Sequence, residues 1–310
     1  MGLLILKQII KYVLMMLAGF LIVKRNILKA EDSRILSVLS VYLILPCAIL
    51  HSFQMEATSE NVQGLLFVFC AAVLNHLLMI LLAVFLGRVL NLSGVEKASA
   101  VYSNAGNMIL PLVLAVFGEE WVLYASANMS VQLIFLWTHG KHLICREQGI
   151  DWKKILFNIN IAAILAGTFM FLGGIRIPET IKDTMGLVGS MLAPLGMISI
   201  GMVMGNVDLR KVLRNQRVYL VSVLRVVVFP LAVLSGIRLS GAAGLMPAAP
   251  TLLFICFIAA TSAVSTSVMQ MSQVYGEDAE YAGQVNILTT LLCLATMPAM
   301  AALYEMLFSV

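Results

Sequence analysis

Charge is scarce in this sequence, and absent where the chain is most apolar. Only 12% of the residues are Asp, Glu, Lys or Arg, about half the share of an ordinary soluble domain. None of the 16 acidic side chains falls in the middle of an apolar stretch. That excludes an intramembrane aspartyl protease, which needs two buried carboxylates sharing a proton. It also weighs against a cation antiporter built on a buried aspartate, because proton relays in membranes usually run on Asp or Glu. Cysteine is sparse too: five residues with no CxxC spacing, so neither a thiolate metal site nor a disulfide framework is indicated. No HExxH, GxSxG or GxxxxGK[ST] pattern occurs, which removes zinc protease, serine hydrolase and nucleotide-binding readings. The sequence implies no enzyme, no metal, no cofactor and no nucleic-acid partner.

What the chain does have is length of apolar run. It is 61% hydrophobic with a mean hydropathy of +0.97, and stretches of about 20 residues, enough to cross about 30 Å of hydrocarbon, follow one another throughout. Ten spans are predicted, over 3–23, 35–52, 62–86, 98–117, 120–139, 154–174, 184–204, 217–237, 249–269 and 281–307. The expected fold is an all-α polytopic membrane protein. The odd-numbered connections and their flanks hold 14 Lys and Arg residues, the even-numbered ones 3. The positive-inside rule then places the odd connections in the cytoplasm and both termini outside the cell membrane. The first apolar run is read as a span, since KRN (24–26) closes it and no small-x-small cleavage site follows.

The chain also repeats itself weakly. Leu17-Ala18-Gly19 recurs as Leu165-Ala166-Gly167, Glu31 as Glu179 and Pro46 as Pro194, all 148 positions on. FGEE (117–120) is echoed by YGED (275–278), and Asn128 by Asn286, at an offset of 158. The ten extra residues fit the connection SGAAGLMPAAP (240–250). Two units follow: a first repeat over 1–139, a cytoplasmic linker over 140–153, and a second repeat over 154–310. Five spans per repeat is an odd number, so the second copy is inverted, as in many secondary transporters.

The fourth span of each unit has interrupted character. In the first it is NAGNMILP (104–111), with Asn104, Gly106, Asn107 and Pro111; in the second it is TSAVSTS (261–267), with Ser265 and Thr266. Amides and hydroxyls at one depth in two related spans point to a binding site, although small polar residues also glue membrane helices together. Basic groups enter the spans where acids do not. His76 sits mid-span beside Asn75, in a position that suits a neutral packing residue as well as a functional one. Arg225 lies eight residues into span 8, about 12 Å from its end, so both a buried role and snorkelling fit it. At an offset of 149 the repeat pairs these two residues. Buried donors without buried carboxylates suit an anionic substrate, with broken-helix N-termini adding partial positive charge.

In the context LILPCAIL (43–50), in SNAGNMILPL (103–112) followed by VFGEE, and in QVYGEDAEYAG (273–283) leading into NILTTLLCLATMP, the whole chain resembles the auxin efflux carrier family. The resemblance is to its bacterial branch of malate- and malonate-permease-like proteins. It implies a bile-acid-symporter-like fold, with spans 1, 2, 6 and 7 as scaffold and spans 3–5 and 8–10 as transport unit. Broken crossover spans 4 and 9 would meet at the site, the mechanism would be elevator-like, and a homodimer would form through the scaffold. The family's span-4 asparagine falls on Asn104, and its span-5 glutamine on Gln132, ahead of Trp137-Thr138. Asn128 and Asn286 join the polar set, and Pro46, Pro111 and Pro194 are helix-break or hinge positions. The family's crossing prolines are missing: Ser103 stands at the first, and the second falls near Ala263. Coupling to H⁺ or Na⁺ is therefore open.

The expected function is transport of a small organic anion, a carboxylate. Its rivals are an organic-acid receptor that moves nothing and a channel. The longest connection, GKHLICREQGIDWKK, is too short to be an output domain, and no span carries a continuous polar stripe.

Overall fold

The computed structural model describes residues 2–145, 159–205, 212 and 214–308. Most of the expected 140–153 linker and the first residues of the expected second unit lie outside the described residues.

The described chain is helical. In order it forms α1 (Gly2–Lys24), α2 (Ala30–Ser52), α3 (Ser59–Val89), α4 (Gly94–Val101), α5 (105–117), α6 (119–145), α7 (Ile159–Leu172), α8 (Glu179–Gly205), α9 (Gln216–Ser240), α10 (Ala249–Thr261), α11 (Thr266–Val274) and α12 (Ala279–Phe308). Six of these, α1, α2, α3, α8, α9 and α12, are long and apolar enough to cross a membrane. The other predicted spans differ for visible reasons. Spans 4 and 9 are each divided, into α4 and α5 and into α10 and α11. Span 5 forms α6, which buries the polar series Ser126, Asn128, Ser130 and Gln132. Span 6 is described only from Ile159 onward.

Three helices widen into a π turn immediately before a proline. The turns are Ser40–Ile44 ahead of Pro46, Ala105–Ile109 ahead of Pro111 and Leu224–Val228 ahead of Pro230. Proline has no N–H to give, and its ring collides with the carbonyl four residues back; a wider turn moves that carbonyl aside. Pro46 and Pro111 therefore soften their helices without breaking them. Pro194 is the third residue of the segment Leu192–Gly205, just after the turn at Met191 that divides α8.

The helices pack in two groups, which touch where α1 lies on α12 and where α2 and α7 meet α6. α1 lies along the second half of α8, and α2 packs on α7 and on the first half of α8. The α1–α8 approach is close because two glycines allow it. Gly19 meets the backbone of Ile198 and Gly201 that of Met16, so a Cβ at either would overlap a carbonyl. In the second group α3 packs on α6 and α10, α9 on α12, and α11 on α12. α4, α5, α10 and α11 sit within this group, and their breaks are buried.

Candidate functional site

The two helix breaks face each other. α4 begins with a capping box, in which the Ser93 amide donates to Glu96 Oε2 at 2.7 Å and the Glu96 amide to Ser93 Oγ at 3.2 Å. It ends at Val101, where Tyr102 turns extended (φ −94°, ψ 125°). α10 ends at Thr261, where Ser262 does the same (φ −76°, ψ 166°). The short extended pieces pair as an antiparallel bridge between Ser103 and Val264. The Asn104 amide donates to the Ala263 carbonyl at 2.9 Å, and the Ser265 amide to that of Tyr102 at 3.0 Å. Beyond the bridge the chain re-enters helix at Ala105 and, with Ser265 as N-cap accepting from the Ser267 amide at 3.3 Å, at Thr266.

Breaking a helix frees backbone groups that nothing in a membrane interior would solvate. Here three neighbouring helices supply the partners. From α6, Gln132 Nε2 donates to the Ser103 carbonyl at 2.7 Å, while Ser103 Oγ donates to Gln132 Oε1. From α12, Asn286 Nδ2 donates to the Val264 carbonyl at 2.6 Å, Thr289 Oγ1 accepts from the Val264 amide at 3.1 Å, and Cys293 Sγ donates to the Thr261 carbonyl. From α9, Arg225 Nε donates to the Ser262 carbonyl at 3.0 Å, and its Nη1 to those of Ala100 and Val101 at 3.2 and 3.3 Å. Each break is thus held by an amide from the helix that follows it, and one guanidinium spans both.

These backbone groups have partners, but several buried side-chain atoms do not. Asn104 Nδ2, Arg225 Nη2 and His76 Nε2 are buried and have no hydrogen-bond partner among the described residues. His76 Nδ1 lies 2.7 Å from the Ala72 carbonyl, and a carbonyl can only accept, so Nδ1 carries the hydrogen and Nε2 of the neutral ring is left as an acceptor. The ring stacks on Phe135, centroids 5.7 Å apart, within reach of Gln132 and of the charge on Arg225. Orphaned buried polar atoms are rare and call for an explanation.

The chain matches the family model of "Membrane transport protein" in two segments, residues 4–151 and 144–301. The chain belongs to this family, that of the auxin efflux carriers. It is therefore a membrane-embedded transport protein, and the family's members are transporters, not enzymes. No curated protein matches the chain.

Of the transporter's expected site residues, Asn104, Gln132, Ser265, Arg225 and Asn286 come together at the paired breaks, with His76 alongside. Gly106 and Thr266 are half-buried in the first turns of α5 and α11. Asn107 contributes backbone to the π turn Ala105–Ile109; its side chain lies outside the described residues. Asn128 is buried one turn before Gln132 on α6. The break itself falls at 102–104, upstream of Gly106 and Pro111, where the sequence placed the loosening. Snorkelling is excluded for Arg225, which is 0% exposed.

A cavity of about 300 Å³ is lined in part by α5, from Leu110 onward. One wall comes from α1, α2 and α8 with Gln8, His51, Ser52 and Pro194, the other from α5 and α6 with Pro111 and Glu119. It lies on the boundary between the two helix groups. Asn104, Gln132, Ser265 and Thr266 do not line it. Sequence reasoning missed His51, Ser103 and Thr289. Ser103 carried a signal, its place one residue before Asn104; the other two had none.

Proposed function

We propose that this transporter carries a small carboxylate across the cell membrane by an elevator-type movement. The observation that supports this most directly is the cavity: its two walls belong to different helix groups. In this reading α1, α2, α7 and α8 are the stationary scaffold, and α3–α6 with α9–α12 move past it. The chain then makes ten crossings as two inverted five-span repeats, with both termini outside, and α4–α5 and α10–α11 are its crossover spans.

The chemistry at the breaks favours an anion. The N-termini of α5 and α11 meet at the bridge, and each contributes partial positive charge from unsatisfied amides. Among the described residues Asn104 Nδ2 is a buried donor with no partner, and no carboxylate is hydrogen-bonded to the breaks. The carboxylate binds here when sliding brings the breaks level with the cavity.

Proteoliposomes mixed rapidly with mono- and dicarboxylates, with uptake and current recorded, test the proposal. Saturable uptake of one acid is expected. If ligand raises the melting temperature but no tracer crosses, the protein is a receptor and the carrier reading fails.

A further inference from the structure

Arg225 is fully buried, and no carboxylate is hydrogen-bonded to it among the described residues. Burying an unpaired cation costs several kcal/mol even after relaxation, so something else must balance its charge. Its three bonded acceptors are the carbonyls of Ala100, Val101 and Ser262. Those carbonyls are the C-terminal ends of α4 and α10, which stop at Val101 and Thr261. A helix C-terminus carries roughly half a negative charge; two of them aimed at one point offset a single cation. The guanidinium fork also suits the task, since its separate N–H vectors reach carbonyls on two different chain segments.

In secondary transporters with broken helices, carbonyls and C-terminal half-helix ends are where a coupling cation binds. We propose that Arg225 is a resident cation at that place. It holds the C-terminal ends of α4 and α10 together permanently, so no sodium ion is bound between them and the paired breaks assemble whatever alkali cation is present. The inference goes beyond the carboxylate reading and adds one consequence to it. An anion held at the N-termini of α5 and α11 would travel with a fixed positive charge, and no cation would have to load and leave in each cycle.

The test is thermal melting of the purified full-length protein in detergent, in sodium, potassium and choline chloride at equal ionic strength. The wild type is expected to melt at one temperature in all three. Arg225→Met, which keeps an apolar stem and removes the charge, is expected to melt about 5 °C lower or more. Millimolar guanidinium should recover part of that loss, and Arg225→Lys should lose less than Arg225→Met. A sodium-specific rise in the wild type would overturn the proposal, as would Arg225→Met melting like the wild type. If Arg225→Met yields no folded protein, the wild-type salt comparison still decides. No carboxylate enters these measurements, so a failure of the transport reading would appear only in the liposomes.

Discussion

Ser103 and Gln132 exchange two hydrogen bonds, hydroxyl to amide oxygen one way and amide nitrogen to backbone carbonyl at 2.7 Å the other. They lie 29 positions apart, and both are buried. The pair ties the first helix break to α6. Gln132→Leu would leave the Ser103 carbonyl and hydroxyl without these partners, at a cost of about 1–3 kcal/mol. The expected result is a lower melting temperature even with no carboxylate present, read by a thermal unfolding scan.

Asn104 should behave in the opposite way. Its side-chain Nδ2 has no partner among the described residues, while its backbone amide makes the bridge bond to Ala263. Asn104→Ala keeps the backbone bond and removes the carboxamide that carries the unpartnered donor. Melting should change little, whereas uptake of whichever carboxylate the wild type carries should fall about tenfold or more, the equivalent of one lost charge-assisted hydrogen bond. Unchanged uptake would remove Asn104 from the site.

Ser103→Pro tests how the bridge is made. The cross-bridge bonds use the amides of Asn104 and Ser265 and the carbonyls of Tyr102 and Ala263; no bond in the bridge uses the Ser103 amide. Tyr102 is already extended, as a residue before proline prefers. The variant is expected to fold, with the Asn104 and Ser265 amides as protected from hydrogen exchange as in the wild type. Loss of that protection would show that the Ser103 amide matters after all.

Glu96 gives a pH dependence at the capped start of α4, two residues before the predicted span 98–117 begins. Burial by itself would raise its carboxyl, but hydrogen bonds from the Arg217 guanidinium, the Ser93 amide and the Tyr281 hydroxyl outweigh burial and hold it below its ordinary value. A carboxyl depressed in the folded state stabilises the protein fully above its unfolded pKa. That contribution disappears as pH falls through the lower, folded value. Melting temperature should therefore drop on acidification below about pH 4, and Arg217→Gln should flatten the drop. Because the Arg217 side chain is 40% exposed, water partly replaces it, and the substitution should cost only about 1 kcal/mol at neutral pH.

The sequence by itself determined the membrane class and the approximate places where two helices fail. Apolar run length is a one-dimensional property, and so is the clustering of Asn, Ser, Thr and Gly that interrupts it. The repeat offset singled out Asn286 and the family resemblance Gln132, but neither revealed that each would hold a helix break. The sequence did not determine where the first break falls, because proline at 111 looks like a breaker until a π turn absorbs it. Nor could it decide between a snorkelling and a buried Arg225, since both positions lie the same distance from the helix end. Only tertiary structure settles that, by bringing three carbonyls from segments more than a hundred and about forty residues away to one guanidinium. The cavity likewise exists only between helix groups, where no single segment of sequence records it.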